Sequence, residues 1–161
     1  MNLHLSSRDI GIRTLDIVSE RKSLEGPLLP ILHEIQAEFG YVPQEALPII
    51  ARELNLSRAE VHGVISFYHH FREHAPGRFV VQLCRAEACQ SMNARALEEF
   101  VRGRLRLNFG ETSADGRVTL EPVYCLGNCA CAPAMMVNGE LHGRVTPERF
   151  GELAKQWGVV P

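Results

Sequence analysis

Apolar side chains recur every three or four positions through residues 1–75, a spacing that predicts helices packed by one face. The clearest stripe precedes Gly40, a residue suited to a helix C-cap, and consists of Leu28, Ile31, Leu32, Ile35 and Phe39. A second predicted helix starts near Pro43 and ends at Asn55, and the capping box of Ser57 and Glu60 starts a third. A weaker stripe before Gly26 predicts one more helix, with its buried face formed by Ile12, Leu15 and Val18.

The pattern changes in the second half of the chain, where short apolar runs predict strands. Residues 79–83 form a compact apolar run that ends at Cys84, and residues 117–121 alternate between polar and apolar side chains. Further along, Asn138 and Gly139 separate two short apolar segments, and this dipeptide is a strong signal for a hairpin turn. We therefore predict four strands, of which the last two form a hairpin.

Two helices are predicted among these strands. Ser91 is a candidate N-cap for a helix that runs to about Leu105, and Thr146 with Pro147 starts the last helix of the chain. The resulting order is strand, helix, strand, strand, strand, helix. This order is typical of a small α/β domain.

Residues 74–77, His-Ala-Pro-Gly, interrupt both patterns and mark the predicted domain boundary. We predict an α+β fold with a helical bundle at residues 1–75 and an α/β domain at residues 76–161. The chain has 161 residues, of which 45% are hydrophobic and 22% charged, so it has enough apolar surface for a packed core.

The charge balance limits the classes of partner. The chain carries 17 basic and 19 acidic side chains, a net charge of −2, which gives no field that attracts nucleic acid or anionic lipid. Charges scattered through residues 1–20 argue against a secretory signal, and the prolines and glycines of the charge-free stretch 122–139 argue against a membrane span. We expect a cytoplasmic protein without a membrane segment, whose thiols stay reduced.

All five cysteines lie in the second half, at Cys84, Cys89, Cys125, Cys129 and Cys131. The first four form two close pairs, with four residues inside the first pair and three inside the second. Each pair stands where a predicted strand gives way to a loop, and the ends of two strands in one sheet can lie side by side. Four thiolates can then converge on one site, although five unrelated buried thiols remain an alternative because free cysteine is a common core residue.

Zinc and an iron–sulfur cluster compete for these thiolates. Structural zinc usually takes ligands two residues apart, a spacing that neither pair has, whereas a [2Fe-2S] cluster is wider and also takes four thiolates. Gly127 and Asn128 tolerate left-handed backbone, so their N–H groups can point at cluster sulfurs. Without a C-x-x-C motif, a dithiol oxidoreductase fits poorly. We interpret Cys131 as a buried thiol near the site that is not a ligand. In the alternative, Cys131 takes the place of a ligand within the second motif.

These motifs resemble a known family. C-x4-C from Cys84 to Cys89 and CLGNCACAP from Cys125 to Pro133 are similar to the thioredoxin-like [2Fe-2S] subunit of respiratory complex I, of NAD-reducing hydrogenases and of NAD-dependent formate dehydrogenases. The segments HEIQ, GYVP and VHGVISFY in the first half resemble the N-terminal helical region of that family. The resemblance therefore extends over nearly the whole chain.

Two loops resemble one branch of the family in particular. CRAEACQS at residues 84–91 and GELHGRVT at residues 139–146 look most like the gamma subunit of the soluble, molybdenum-containing formate dehydrogenase. Complex I versions usually carry asparagine where Cys131 stands. This difference favours formate dehydrogenase over complex I as the parent enzyme.

The resemblance implies a thioredoxin-like domain and one [2Fe-2S] cluster per chain, with ligands Cys84, Cys89, Cys125 and Cys129. It implies that electrons from formate pass from a molybdenum cofactor over further iron–sulfur clusters to FMN, which reduces NAD⁺. The cluster of this subunit then lies near the flavin and buffers single electrons. The implied partners are a flavin- and NAD-binding subunit and, through it, the molybdenum-containing catalytic subunit. The equivalent subunit of complex I or of an NAD-reducing hydrogenase is the alternative.

The chain itself shows no candidate catalytic residues. It has no G-x-G-x-x-G and no G-x-x-x-x-G-K-[ST] motif for nucleotide phosphates, so an electron-transfer subunit describes it better than a complete enzyme. The helical half is then either a docking region for the flavin subunit or a bundle that only adds stability.

A DNA-binding iron–sulfur regulator is the alternative from another functional class. Residues 50–61 match a helix-turn-helix pattern. Residues 1–75, however, hold 7 basic and 10 acidic side chains, a net charge of −3. The recognition helix would offer only Arg58 and His62, with Glu60 between them, which is little charge for binding phosphates.

Overall fold

A computed structural model describes residues 6–158. The chain divides into two compact units, Met1–Ala75 and Pro76–Pro161, which are described separately below. Within residues 6–158, no helix is both long and apolar enough to cross a membrane.

The first unit consists of helices. They are α1 (Ser7–Arg21), α2 (Leu28–Phe39), a 3₁₀ turn (Gln44–Ala46) that continues into α3 (Leu47–Glu53), and α4 (Arg58–Phe67). The completely buried side chains that join these helices include Val18, Ile31, Leu32, Ile35, Ile50 and Val61. The helical bundle predicted for this part of the chain is confirmed.

Local signals set the ends of these helices. Gly40 ends α2 in the left-handed conformation (φ 84°), and Asn55 separates α3 from α4 with φ 54°. Ser57 and Glu60 form the predicted capping box, in which the Glu60 N–H donates to Ser57 Oγ at 3.2 Å and the Ser57 N–H donates to the Glu60 carboxylate at 2.7 Å. These predicted helix ends are confirmed.

The buried face predicted for α1 is wrong in part. Ile12 was expected in the core, but its side chain is 51% exposed. The helix buries Ile10, Thr14, Ile17 and Val18 instead. Thr14 is tolerated there because its hydroxyl donates to the carbonyl oxygen of Ile10 at 2.7 Å, which leaves no unpaired polar atom.

The second unit combines a four-stranded mixed sheet with helices. Its elements in chain order are β1 (Phe79–Cys84), α5 (Glu87–Ser91), α6 (Ala94–Leu105), β2 (Val118–Val123), a 3₁₀ turn (Cys129–Cys131), β3 (Met135–Val137), β4 (Glu140–His142) and α7 (Pro147–Gln156). The strand order is β2-β1-β3-β4. β1 runs parallel to β2, whereas β3 is antiparallel to both β1 and β4. The expected α/β arrangement is confirmed.

The core of this unit lies between the sheet and its long helices. Phe150 of α7 is completely buried and makes an edge contact with Phe100 of α6, with ring centroids 6.4 Å apart. At the start of β1, Phe79 stacks on Trp157 at 6.0 Å. A smaller cluster at the other end of β1 contains Cys84, Cys89, Ala94, Ala132 and Ala134.

The helix predicted from Ser91 to Leu105 is interrupted. Ser91 is the last residue of α5 and its hydroxyl donates to the carbonyl oxygen of Ala88 at 2.9 Å, so it does not cap the next helix. Asn93 adopts the left-handed conformation (φ 65°) and redirects the chain into α6. The second strand also lies slightly later than predicted, at Val118–Val123.

The predicted hairpin turn is confirmed. Asn138 (φ 48°) and Gly139 (φ 86°) are both left-handed, as a two-residue turn of this type requires. The Asn138 side chain also ties the turn to β1, since its oxygen accepts from the Val80 N–H at 2.8 Å and its amide donates to the Arg78 carbonyl oxygen at 3.0 Å.

Candidate metal centre

The two cysteine motifs leave the sheet at the same edge. Cys84 is the last residue of β1 and lies in register with Val123, the last residue of the parallel strand β2. Cys125 follows two residues later. Because neighbouring parallel strands end at one edge, the loops that carry the two motifs begin beside each other. The Cys84 N–H also donates to the carbonyl oxygen of Ala134 at 3.1 Å, which fixes the strand end from its other side.

The first pair, Cys84 and Cys89, belongs to the packed interior. The two residues are only 4% and 1% exposed, and Cys89 lies within the short helix α5. Burial raises the pKa of the Cys89 thiol, and a hydrogen bond with the Cys84 side chain raises it further. This pair is therefore positioned by the core of the unit.

The second pair, Cys125 and Cys129, is exposed on a loop. Their Sγ atoms lie 3.9 Å apart, and the Gly127 N–H donates to Cys125 Sγ at 3.3 Å. The hydrogen bond with Cys125, together with the charge of that thiolate, raises the pKa of Cys129. Of the two residues that tolerate left-handed backbone, Gly127 adopts it (φ 73°), whereas Asn128 does not (φ −106°).

Electrostatic effects connect the two pairs. A charge on Cys84 raises the pKa of both Cys89 and Cys129, and a charge on Cys129 raises the pKa of Cys89. Cys84, Cys125 and Cys129 thus each raise the pKa of at least one other cysteine.

The thiol geometry allows a direct test of fit to a metal. Two thiolates bound at about 2.3 Å to one tetrahedral metal lie roughly 3.8 Å apart, and the Cys125 and Cys129 sulfurs already lie 3.9 Å apart. The spacing of this pair therefore fits two thiolates on one metal, and a [2Fe-2S] cluster takes four cysteine thiolates. Within residues 6–158, no group of three or more Cys, His, Asp or Glu side chains is placed to hold a single metal ion.

The backbone of Cys131 is held by the segment that follows β4. It closes the 3₁₀ turn Cys129–Cys131, and its carbonyl oxygen accepts from the Arg144 N–H at 2.6 Å. Gly143 packs directly on this turn, because a Cβ at Gly143 would lie 2.7 Å from the Cβ of Cys131 and 2.7 Å from the side-chain amide of Asn128. No local pattern predicts this role of Gly143, since the contact forms only when β4 returns beside the cysteine loop.

The candidate nucleic-acid surface is weakly charged, as expected. Arg58 and His62 are exposed on α4, as is the capping residue Glu60. The structure adds Glu73, whose carboxylate lies 3.7 Å from His62 Nε2. This surface therefore presents at least as much negative as positive charge.

Comparisons with known proteins show which family and which relatives the chain is similar to. The model of a family described as thioredoxin-like [2Fe-2S] ferredoxin matches residues 15–158. The HndA subunit of the NADP-reducing hydrogenase from Solidesulfovibrio fructosivorans is 32% identical over 133 residues, which cover 83% of this chain and 78% of that subunit. The E subunit of the NADH-quinone oxidoreductase from Pseudomonas aeruginosa is 34% identical over 123 residues, or 76% of this chain and 74% of that subunit.

The fold also matches a solved structure. A crystal structure of NAD⁺-reducing [NiFe]-hydrogenase in the air-oxidized state superimposes with a TM-score of 0.70 and 24% sequence identity. The match covers 81% of this chain but only 22% of that hydrogenase chain. At this level of identity, the similarity supports the fold.

Proposed function

Because the chain belongs to the thioredoxin-like [2Fe-2S] ferredoxin family, we propose that it is the [2Fe-2S] electron-transfer subunit of an NAD-linked oxidoreductase complex. The observation that carries the proposal is the pair of cysteine motifs at the ends of two adjacent parallel strands. We propose Cys84, Cys89, Cys125 and Cys129 as the ligands, and Cys131 as a residue beside the site. When bound, a [2Fe-2S] cluster supplies one-electron redox chemistry.

The residues of this chain hold and shield such a group rather than transform a substrate. Cys84 and Cys89 provide two thiolates from inside the core, and Cys125 and Cys129 provide two from the surface. The N–H of Gly127 donates toward Cys125, and hydrogen bonds of this kind stabilise charge on thiolate sulfur. These features support an electron-transfer role without catalytic residues on the chain.

We propose that the partner is a subunit that binds FMN and NAD. Hydride transfer to or from NAD moves two electrons, whereas an iron–sulfur centre takes one, so a flavin between them couples the two processes. The names of the relatives, a hydrogenase subunit and a quinone oxidoreductase subunit, support a complex that is linked to NADH or NADPH. A cytoplasmic location is part of the proposal and follows from the need to keep the thiols reduced.

Three parent enzymes are candidates. The relatives favour an NADH-quinone oxidoreductase or an NAD(P)-reducing hydrogenase. The molybdenum-containing formate dehydrogenase remains a further candidate because of the loops at residues 84–91 and 139–146 and because of Cys131. Further iron–sulfur clusters and, in the last case, a molybdenum cofactor would belong to partner subunits.

The first experiment tests the cluster. The full chain is purified without oxygen, its iron and acid-labile sulfide are measured, and an EPR spectrum is recorded after reduction with dithionite. We expect two irons and two sulfides per chain and the signal of a reduced [2Fe-2S] cluster. Zinc without sulfide would instead establish a zinc-stabilised module and overturn the proposal.

The second experiment identifies the parent complex. The tagged chain is isolated from its native host, bound subunits are identified by mass spectrometry, and the complex is assayed with formate, hydrogen and a quinone against the NAD⁺/NADH couple. Formate-dependent NADH formation would establish the formate dehydrogenase parent, and either other activity would exclude it. Isolation without a flavin-binding subunit would contradict the proposed partner.

We further propose that the helical unit docks on the flavin subunit. Its support is an apolar groove beside α4, lined by Leu28, Leu56, Val64, Phe67 and Tyr68, in which Phe67 is 73% exposed. Phe67→Ser should release the partner while the cluster signal of the chain persists. Ile12→Ser on α1 is the matched control, since it removes another exposed apolar side chain outside the groove.

A further inference from the structure

A charged side chain stands directly beside the first cysteine of the site. Arg85 follows Cys84, and both of its backbone groups are fixed, because its N–H donates to the Val123 carbonyl oxygen at 2.7 Å and its carbonyl oxygen accepts from Gln90 Nε2 at 2.7 Å. The backbone of Arg85 is thus held by the end of β2 and by α5, close to the cysteine motifs.

The guanidinium of Arg85 is paired with a mostly buried carboxylate. Arg85 Nε lies 3.0 Å from Glu98 Oε2, and the Glu98 side chain is only 15% exposed. Arg102 approaches the other carboxylate oxygen at 3.8 Å. Cys84 and these three side chains line one cavity of 190 Å³. The charges therefore surround the space next to Cys84.

An aromatic ring and a second carboxylate hold the arginines in place. Both guanidinium groups lie over the ring of Phe109, at 5.1 Å for Arg85 and 5.9 Å for Arg102. Arg102 also donates to Asn108 Oδ1 at 2.6 Å, and Asn108 in turn donates to Glu111. Two cations and two anions alternate along this network, which keeps the charge of Arg85 at a defined position.

The surroundings of the second pair are different. Cys125 and Cys129 lie within residues 122–139, a stretch without any charged side chain. A charged residue therefore adjoins a proposed ligand in sequence at the first pair, where Arg85 follows Cys84, and not at the second pair.

We propose that Arg85 and Glu98 act as positioning residues that set the reduction potential of the cluster, an inference that rests on the proposed function. Reduction by one electron, from a reduced flavin in the complex or from dithionite in the test, adds one negative charge to the cluster and forms no new bond. A nearby cation stabilises that charge and a nearby anion opposes it. Arg85 then raises the potential, and Glu98 limits the increase.

The test is an EPR-monitored redox titration of the full-length, cluster-loaded chain. Arg85→Gln should lower the ratio of reduced to oxidised cluster at a fixed potential by on the order of tenfold, a shift of about 59 mV for one electron. Glu98→Gln should shift the ratio in the opposite direction. The double variant should return toward the wild-type value, and Arg85→Lys should shift less than Arg85→Gln because it keeps the charge.

Arg149→Gln is the matched control, since Arg149 is exposed on α7 and does not line this cavity. It should leave the midpoint unchanged. Shifts of the same sign in Arg85→Gln and Glu98→Gln, or no shift in either, would overturn the inference. If Arg85→Gln fails to assemble a cluster, Glu98→Gln alone tests the inference. An increase in the ratio of reduced to oxidised cluster supports it, and a decrease or no change overturns it. Absence of the reduced-cluster signal in the wild-type chain would refute the proposed function instead.

Discussion

The two cysteine pairs share one edge of the sheet but are held in different ways. Cys84 and Cys89 are buried in a small cluster with Ala94, Ala132 and Ala134. Cys125 and Cys129 are exposed, and local backbone contacts hold their loop instead. One half of the site is thus part of the hydrophobic core, whereas the other half depends on a few hydrogen bonds and close contacts.

This difference indicates how the two halves contribute to the proposed site. A buried pair keeps its position as long as the unit is folded, because core side chains are close-packed. An exposed pair leaves one side of a bound cluster open to a partner. We therefore expect the first pair to provide rigidity and the second pair to face the partner's redox group. Each of the following predictions tests one part of this contrast.

The largest expected effect comes from removing a ligand of the exposed pair. Cys125→Ser should lose the cluster or strongly alter its EPR signal, because exposure does not make this thiolate dispensable. Cys131→Ser is the matched control and should keep its iron, since Cys131 is not one of the proposed ligands and its backbone carbonyl is held by the Arg144 N–H. Equal loss of iron in both variants would refute the ligand assignment.

Features set by neighbouring residues were predictable from the sequence. The capping box of Ser57 and Glu60, the left-handed Gly40 and the turn at Asn138 and Gly139 depend on residues a few positions apart. The α+β organisation also follows from local patterns, because helical and alternating periodicities occupy different parts of the chain.

Features that require distant segments to meet were not predictable. The sequence does not distinguish the buried cysteine pair from the exposed one, since burial depends on Ala132 and Ala134 arriving beside β1. The pairing of Arg85 with Glu98 spans 13 positions, and the contact of Gly143 with Cys131 requires β4 to fold back. The error at Ser91 has a local cause, because a left-handed Asn93 breaks a pattern that otherwise predicts one helix.

The second prediction concerns Gly143, which supports the exposed loop. Gly143→Ala adds a methyl group 2.7 Å from the Cβ of Cys131 and 2.9 Å from its carbonyl oxygen, so the loop must move. We expect the free energy of unfolding of the cluster-free chain to fall by about 1–3 kcal/mol, measured by urea titration. Gly151→Ala in α7 is the control and should not destabilise, because a Cβ there meets nothing within 4 Å. Equal values for the two variants would show that the loop is not held by Gly143.

The third prediction compares the reactivity of the thiols. In the cluster-free, folded chain, iodoacetamide should modify Cys125 and Cys129 at least about tenfold faster than Cys89, because burial both shields Cys89 and raises its pKa. Peptide mass spectrometry over time measures each rate, and the same reaction in urea is the control in which the difference should disappear. The raised pKa of Cys129 also predicts that its rate increases as the pH rises through the alkaline range. Similar rates for Cys89, Cys125 and Cys129 in the folded chain would remove the contrast between the pairs.

The smallest expected effect concerns the backbone turn inside the exposed loop. Gly127 has φ 73°, where an added Cβ costs about 1 kcal/mol even though it would meet no atom within 4 Å. Gly127→Ala should therefore lower the free energy of unfolding by about that amount. It should also weaken the hydrogen bond from the N–H of residue 127 to Cys125 Sγ, which would slightly lower the reduction potential of the cluster. Gly103→Ala in α6 is the control and should stabilise by roughly 0.5–1 kcal/mol, because alanine favours helix. A Gly127→Ala chain as stable as the wild type would show that the loop tolerates another backbone conformation. In that case the spacing of Cys125 and Cys129 would be set by the bound cluster and not by Gly127.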